Sequence, residues 1–278
     1  MSSNSGLDQA AGLRSLLGTT ETRRVSFLSA IPAAEKNQVL LNLAAALVQK
    51  GSDIHLLDAS LDVEGISTIN PGKLHYSLSD VATGQASLSS ALVEHDSGIH
   101  LSKLSTQSIS NLANQNKALA RLSEAVLAIK PESNFCFIDT HLDNDNPFIL
   151  PEISEGDVVV MATTTADSIK SAYLQIKALH AKLGRRPYHI LVVGGSEQQA
   201  SLIQQNMSQA TNLYLAVPLI SLGAIPTDDS LARATQMSKS VVEAYPTAPA
   251  ATAFREIASK LIDHARTISA TPSDNQEE

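Results

Sequence analysis

The run S-A-I-P-A-A-E-K-N-Q-V-L-L-N-L-A-A-A-L-V-Q-K-G-S-D-I-H-L-L, Ser29 to Leu57, decides how this chain is read. Just before it, Arg24 to Leu28 is a short β-type run, and a turn carrying Pro32 follows. Val39, Leu40, Leu43, Leu47 and Val48 then recur at helical spacing, with Gly51 where a helix C-cap belongs. Residues 53–57 form a second apolar strand, which Asp58 ends. The unit is strand, loop, helix, strand, acid.

That order resembles the opening unit of a P-loop nucleotide hydrolase. The segment N-L-A-A-A-L-V-Q-K-G resembles the first helix of the MinD/ParA group of deviant Walker-A ATPases, whose loop reads K-G-G-V-G-K-[ST]. In such a loop the glycines let backbone N–H groups converge on phosphate. A Lys reaches the β/γ-phosphates, and a Ser/Thr hydroxyl holds Mg²⁺. Laid on that motif, Lys36 falls on the P-loop lysine and Asn37 on the Mg²⁺-binding Ser/Thr. Ile31 falls on the signature lysine, and Pro32, Ala33 and Glu35 on the three glycines. Pro32 has no N–H to offer, and Glu35 sets a carboxylate where a phosphate would lie. A charge-assisted hydrogen bond contributes ~1.5–3 kcal/mol, and ~1.4 kcal/mol is tenfold in affinity. Two or three such losses take a micromolar site to roughly millimolar or weaker. The expectation is a decayed nucleotide site.

Composition sets the outer limits. The chain has 278 residues, 43% hydrophobic and 17% charged, enough apolar material for one large α/β domain or two small ones. A net charge of −8 provides no basic field for nucleic acid. The single Cys136 lies in the apolar run N-F-C-F-I-D and is expected in the core, in a reducing compartment. The N-terminus lacks a signal-peptide core, and no stretch is long enough to span a membrane, so a cytoplasmic protein is expected.

Along the chain, Ser5-Gly-Leu-Asp8 fits a capping box and Gly18 a C-cap, which predicts a short helix within residues 1–18. Two short helices are predicted within 77–95, a strand at 98–104, and a helix over 109–129. Strands follow at 135–139, 157–162, 188–193 and 213–217, and S-L-G-A-I-P (221–226) leads into a helix at 228–236. Helices are predicted over 166–183 and 196–209, and a last one carries Phe254, Ile257, Ala258, Leu261, Ile262, Ala265 and Ile268 on one face. Strands alternating with helices, several wholly apolar, predict an α/β, P-loop NTPase-like fold: a mostly parallel sheet with helices on both faces. The chain divides into an N-terminal helix (1–18), the α/β domain (19–269) and an acidic tail (270–278).

Two segments narrow the resemblance. D-Q-A-A-G-L-R, Asp8 to Arg14, resembles the N-terminal motif of the flagellar-number regulators of the FlhG (FleN) family. L-G-A-I-P-T-D-D-S-L-A-R-A with S-V-V-E-A-Y-P-T-A-P-A-A-T-A-F, between Leu222 and Phe254, resembles that family's C-terminal block. The family fold is an ATPase that dimerises around ATP and Mg²⁺ and uses its N-terminal motif on the signal-recognition-type GTPase FlhF. It also engages flagellar switch components and polar regulators. The resemblance therefore implies a bacterial cytoplasmic protein, recruited to the cell pole, with Asp8, Gln9, Leu13 and Arg14 as partner-binding residues.

The departures gather at the nucleotide site. The family carries D-A-D after the second strand, where this chain has Asp58-Ala59-Ser60. Asp139 matches the Walker-B position, but His141 stands where the family has a small residue, and V-V-G-G-S offers no adenine-reading Asn after the 188–193 strand. Lys36 is then either a phosphate ligand or a solvated first-turn lysine, and Asp139 a metal ligand or the cap of an adjoining turn. D-N-D-N (143–146) lacks the EF-hand glycine and twelfth-position Glu, and the dispersed His form no metal motif, so no metal is expected. The last helix mixes Arg255, Lys260 and Arg266 with Glu256 and Asp263, which favours packing on the sheet over lying on a membrane. The reading is a catalytically silent FlhG/MinD-like binding protein controlling flagellar number, placement or assembly. It would bind an FlhF-type GTPase or another polar partner, with no ATP-dependent dimer because Ile31 replaces the signature lysine. Alternatives are an atypical ATPase using Lys36 and Asp139, and a co-regulator that pairs with an intact homologue.

Overall fold

The apolar runs predicted as strands form strands because helices cover both of their faces. In the computed structural model, which describes residues 22–60, 64–69, 72–95, 97–105, 116–129, 134–142 and 150–269, the opening unit is β1 (Arg23–Ser29), α1 (Ala33–Gln49) and β2 (Ile54–Asp58). Next come α2 (Leu78–Ala82), β3 (Val93–Glu94), β4 (His100–Lys103), α3 (Asn116–Leu127) and β5 (Phe135–Asp139). After α4 (Pro151–Ser154) follow β6 (Asp157–Thr163), α5 (Ala166–Leu183), β7 (Tyr188–Val193) and α6 (Glu197–Leu215). The chain then forms β8 (Leu219–Ile225), α7 (Asp229–Gln236), α8 (Val241–Ala244) and α9 (Pro249–Ser269).

The eight strands make one sheet in the order β3-β4-β2-β5-β1-β6-β7-β8. Every pairing is parallel except β3 with β4. The period-2 alternation of each strand then splits the core into two layers. Leu28, Ile138, Val160 and Ile190 face α3, α5 and α6, while Phe27, Phe137, Val159 and Leu191 face α1 and α9. The mostly parallel sheet with helices on both faces is therefore what the sequence predicts.

The segment resembling the family's C-terminal block is a structural lock. Asp228 accepts from Ser230 N–H at 2.8 Å and from Ala250 N–H at 3.0 Å, so one carboxylate caps α7 and anchors the start of α9. The Asn42 side chain accepts from Val241 N–H at 2.6 Å, tying α8 to α1. Phe254, Ile257, Ala258 and Leu261 of the last helix are buried against the sheet, and Ala265 and Ile268 of its predicted face lie beyond the described side chains. Among the described residues no helix is long and apolar enough to cross a membrane.

One predicted strand is wrong. Residues 213–215 belong to α6, which ends at Ala216 in a left-handed conformation (φ 54°), and the strand that follows is Leu219–Ile225. Ala200, Ile203, Met207, Thr211 and Leu215 continue a helical stripe onto the sheet, which outweighs the local β preference of L-Y-L-A-V. Leu213 and Tyr214 are left exposed on the far side. In 77–95 the second predicted helix is a single 3₁₀ turn, Leu88–Ala91, and Val93–Glu94 pairs with β4. The predicted N-terminal helix with Asp8, Gln9, Leu13 and Arg14, the D-N-D-N loop and the tail 270–278 lie outside the described residues.

Candidate functional site

In an open parallel sheet, ligands bind beyond the carboxyl ends of the strands where the strand order reverses. Here that place is the crevice over β2, β5 and β1, and it gathers Lys36, Asn37, Asp58, Ser60 and Asp139. Asp58 and Asp139 are register partners at the ends of β2 and β5, which sets two carboxylates side by side. Lys36 and Asn37 enter from the first turns of α1.

The connection from β1 to α1 is short because the helix begins at Ala33. Ala30 N–H donates to Met161 C=O at 2.9 Å, Ile31 N–H donates to Ser29 Oγ at 3.1 Å, and Pro32 has no N–H. Ser168 Oγ donates to Ala30 C=O at 2.7 Å and the Gln175 amide to Ser29 C=O at 2.9 Å, pinning the connection to α5. The sequence reading puts the Glu35 carboxylate in the crevice, but Glu35 and Pro32 are exposed and Ala33 is half-buried. Residues that would wrap a phosphate are wound into the helix, and Glu35 turns outward in the first turn, where the helix dipole favours an acid.

Lys36 is not a solvated lysine. It is 6% exposed, and its Nζ lies 2.6 Å from Asp139 Oδ1. The other Asp139 oxygen accepts from Ile66 N–H at 2.7 Å, so this carboxylate both caps a turn and holds a cation. Burial pushes the Asp139 carboxyl up to about 6 from 3.8, with Lys36 pulling it down and Asp58 pushing it further up.

Asn37 turns to the chain that follows β2. Its side-chain amide donates to Glu64 C=O at 3.1 Å, Gly65 C=O at 3.2 Å and Thr68 Oγ1 at 3.2 Å. Its Oδ1 is buried without a hydrogen-bond partner among the described residues. Asp58 is fully buried and accepts from Ser60 N–H at 3.1 Å, Ser60 Oγ at 2.6 Å and Ser67 N–H at 3.0 Å, and from Ser67 Oγ. Segment 64–69 thus lies over the ends of β2 and β5 and meets Asn37, Asp58 and Asp139 together. In the sequence, residues 59–73 after Asp58 are rich in turn formers and predict no helix or strand. The signal they held is the grouping Gly65, Ser67 and Thr68 directly after a strand-end Asp.

At the end of β7, Gly194 N–H donates to Ile225 C=O at 2.8 Å and Thr227 Oγ1 to Gly194 C=O at 3.3 Å. The V-V-G-G-S turn is therefore occupied in joining β7 to the chain after β8. His141, just past Asp139, is half-buried.

No family model matches the chain. The antiactivator FleN of Pseudomonas aeruginosa is 27% identical over 229 residues, covering 81% of each chain. An uncharacterised ATP-binding protein of Methanocaldococcus jannaschii is 28% identical over 229 residues, covering 82% of this chain and 83% of that one. Among solved structures, the MinC:MinD cell division complex of Aquifex aeolicus superimposes with a TM-score of 0.65 at 17% identity, over 92% of this chain and 99% of that one. A P-loop NTPase-like sheet, strand-end acids on β2 and β5 and sequence likeness over most of the chain converge: the chain has the fold of the MinD cell division proteins and is similar in sequence to the antiactivator FleN.

Proposed function

We propose that this chain is a regulatory binding protein of the FleN kind whose nucleotide crevice is closed by its own residues, so that it acts without ATP turnover. The observation that carries this reading is the internal use of both remaining motif positions. Lys36 is paired with Asp139, and the side-chain N–H₂ of Asn37, where a metal-binding hydroxyl would stand, is used on segment 64–68, leaving only its Oδ1 without a hydrogen-bond partner among the described residues. Asp58 is saturated by Ser60 and Ser67, so these residues do not fit Mg²⁺ and a triphosphate without dismantling the cluster. An Asn side chain can ligate a cation only through Oδ1, a weaker donor than a carboxylate, and Pro32 and Glu35 give no cradle for an anion.

Partner recognition would rest on Asp8, Gln9, Leu13 and Arg14, which carry the resemblance to the family's GTPase-binding motif, and the partner we infer is an FlhF-type GTPase. MinD of Aquifex aeolicus is found in complex with MinC, which supports a protein partner as the mode of action in this superfamily. The likeness to the antiactivator FleN supports a role in controlling flagellar number, placement or assembly.

One observation favours the second reading, an atypical ATPase: Lys36 and Asp139 keep the side chains that an intact site uses. Thermal melting with and without Mg²⁺-ATP separates the two, since a ligand at a hundred times its Kd adds ~2.7 kcal/mol to stability. We expect no shift at millimolar Mg²⁺-ATP and no phosphate release above a blank. Turnover that vanishes in Lys36→Ala would establish the ATPase instead. For the partner, removing residues 1–18 should abolish GTPase binding without lowering the melting temperature, and Gln9→Ala and Arg14→Ala should weaken it. Retained binding by the truncated chain rules the docking motif out.

A further inference from the structure

At the opposite end of the sheet, where the parallel strands begin, three side chains with metal-ligating atoms meet. They are Asp157 at the start of β6, His189 near the start of β7 and His264 in α9. Val159 pairs with His189, so Asp157 and His189 occupy neighbouring places on one sheet face, the face that α9 covers. One ligand atom from each residue lies within 4.8 Å of the other two. His264 Nε2 is 3.9 Å from Asp157 Oδ1, and the two imidazole rings are 5.6 Å apart at 69°.

We propose that this cluster is a binding site for a zinc-class divalent transition metal, which clamps α9 to the floor of the sheet. Two imidazole nitrogens and one carboxylate oxygen form a donor set that suits Zn²⁺ and its neighbours rather than Mg²⁺ or Ca²⁺. His189 is 4% exposed, and its Nδ1 has no hydrogen-bond partner among the described residues.

Arg23 organises the remaining ligands. Its Nε, at 2.7 Å, and its Nη2 both donate to Asp157 Oδ2, which leaves Oδ1 toward His264. Its Nη1 donates to Leu261 C=O at 2.7 Å, one turn before His264. The guanidinium thus fixes the carboxylate and the helix that carries the third ligand. Metal bonds of ~2.0–2.1 Å place tetrahedral ligand atoms about 3.4 Å apart, so the cluster must tighten by roughly 1 Å. The His264 side chain, 41% exposed, has the freedom to do this. Arg23 also opposes a second cation, so micromolar affinity is expected rather than the tighter binding of a thiolate site.

The test uses the full chain without an affinity tag, stripped with a chelator and titrated with ZnCl₂ by calorimetry and against a chromophoric chelator. We expect one zinc per chain and a melting temperature raised by several degrees. His264→Ala should weaken binding by at least about tenfold and abolish the thermal shift. Cobalt should give the intense visible bands of a four-coordinate site in the wild type and lose them in the variant. His264 is half-exposed, so this variant keeps the fold, and its melting curve without metal checks that. Absence of submillimolar zinc binding by the wild type, or wild-type affinity in His264→Ala, overturns the proposal and leaves the cluster as the Asp157–Arg23 ion pair with two packed imidazoles.

Discussion

Lys36 Nζ lies 2.6 Å from Asp139 Oδ1, and both side chains are buried. The cation of α1 is therefore held by the carboxylate that ends β5, in the middle of the crevice beyond the carboxyl ends of β2, β5 and β1. Removing two charges from water is costly unless each finds an ideally placed partner. The pair is maintained because Ile66 N–H supplies a further hydrogen bond to the same carboxylate. Its energetics give the first two predictions.

Asp139 should make stability fall as pH rises through mild acidity. Its carboxyl is raised to about 6 in the folded chain, chiefly by burial, against 3.8 when unfolded. Between these values the folded chain keeps a proton that the unfolded chain has released. The contribution is complete below pH 3.8 and is lost as pH rises through about 6. Its size is ~1.4 kcal/mol per pKa unit of difference. Urea unfolding of wild type and Asp139→Asn at a series of pH values measures it. The stability of wild type relative to the variant should decline from pH 4 to pH 7, and a rise would mean that the ionised pair dominates.

Breaking the pair from one side should cost more than removing it whole. Lys36→Met leaves the Asp139 carboxylate buried without the cation that offsets its burial, and removal of one partner from a buried pair typically costs ~3–5 kcal/mol. The combination Lys36→Met/Asp139→Asn removes both charges, and the Asn oxygen can still accept from Ile66 N–H. We expect the double variant to recover at least half of the loss seen in Lys36→Met, read from denaturant midpoints. Additive single-variant effects would show that the two side chains do not interact.

Gly65 is required by close approach. A Cβ at this position would fall on the Asp58 carboxylate and on Ser60 Oγ, well inside contact distance. Gly65→Ala should push segment 64–69 off the crevice and lower stability by ~1–3 kcal/mol, the usual range for overpacking. Hydrogen exchange localises the effect: the amides of Ile66 and Ser67, which donate to Asp139 and Asp58, should lose protection before the sheet does. Unchanged protection would show that the segment is not held by these contacts.

Cys136 should be silent to thiol reagents in the native state. It is 4% exposed in β5, and burial pushes its thiol up to about 12, so almost no thiolate exists at neutral pH. Labelling by iodoacetamide should follow global unfolding in urea, with one adduct per chain. Rapid labelling without denaturant would reveal local opening of β5.

How much of this was legible beforehand differs by element and by range. The β1–α1–β2 unit, the parallel architecture and the strand-end acids Asp58 and Asp139 follow from sequence alone. They depend on periods of two and 3.6 residues and on where a polar residue ends an apolar run, all of them local properties. Residues 213–217 defeat that reading because a tertiary interface, the stripe from Ala200 to Leu215 against the sheet, overrides the preference of a few residues. The partner of Lys36 could not be read locally either. It depends on β5 lying between β2 and β1, an order set by the packing of the whole sheet. The same holds for segment 64–69, which is an ordinary loop until Asn37, Asp58 and Asp139 present it with partners. Asp157, His189 and His264 form no spacing motif. They meet because α9 returns across the beginnings of β6 and β7, and only a closed fold brings residues so distant in the chain within reach of one ion.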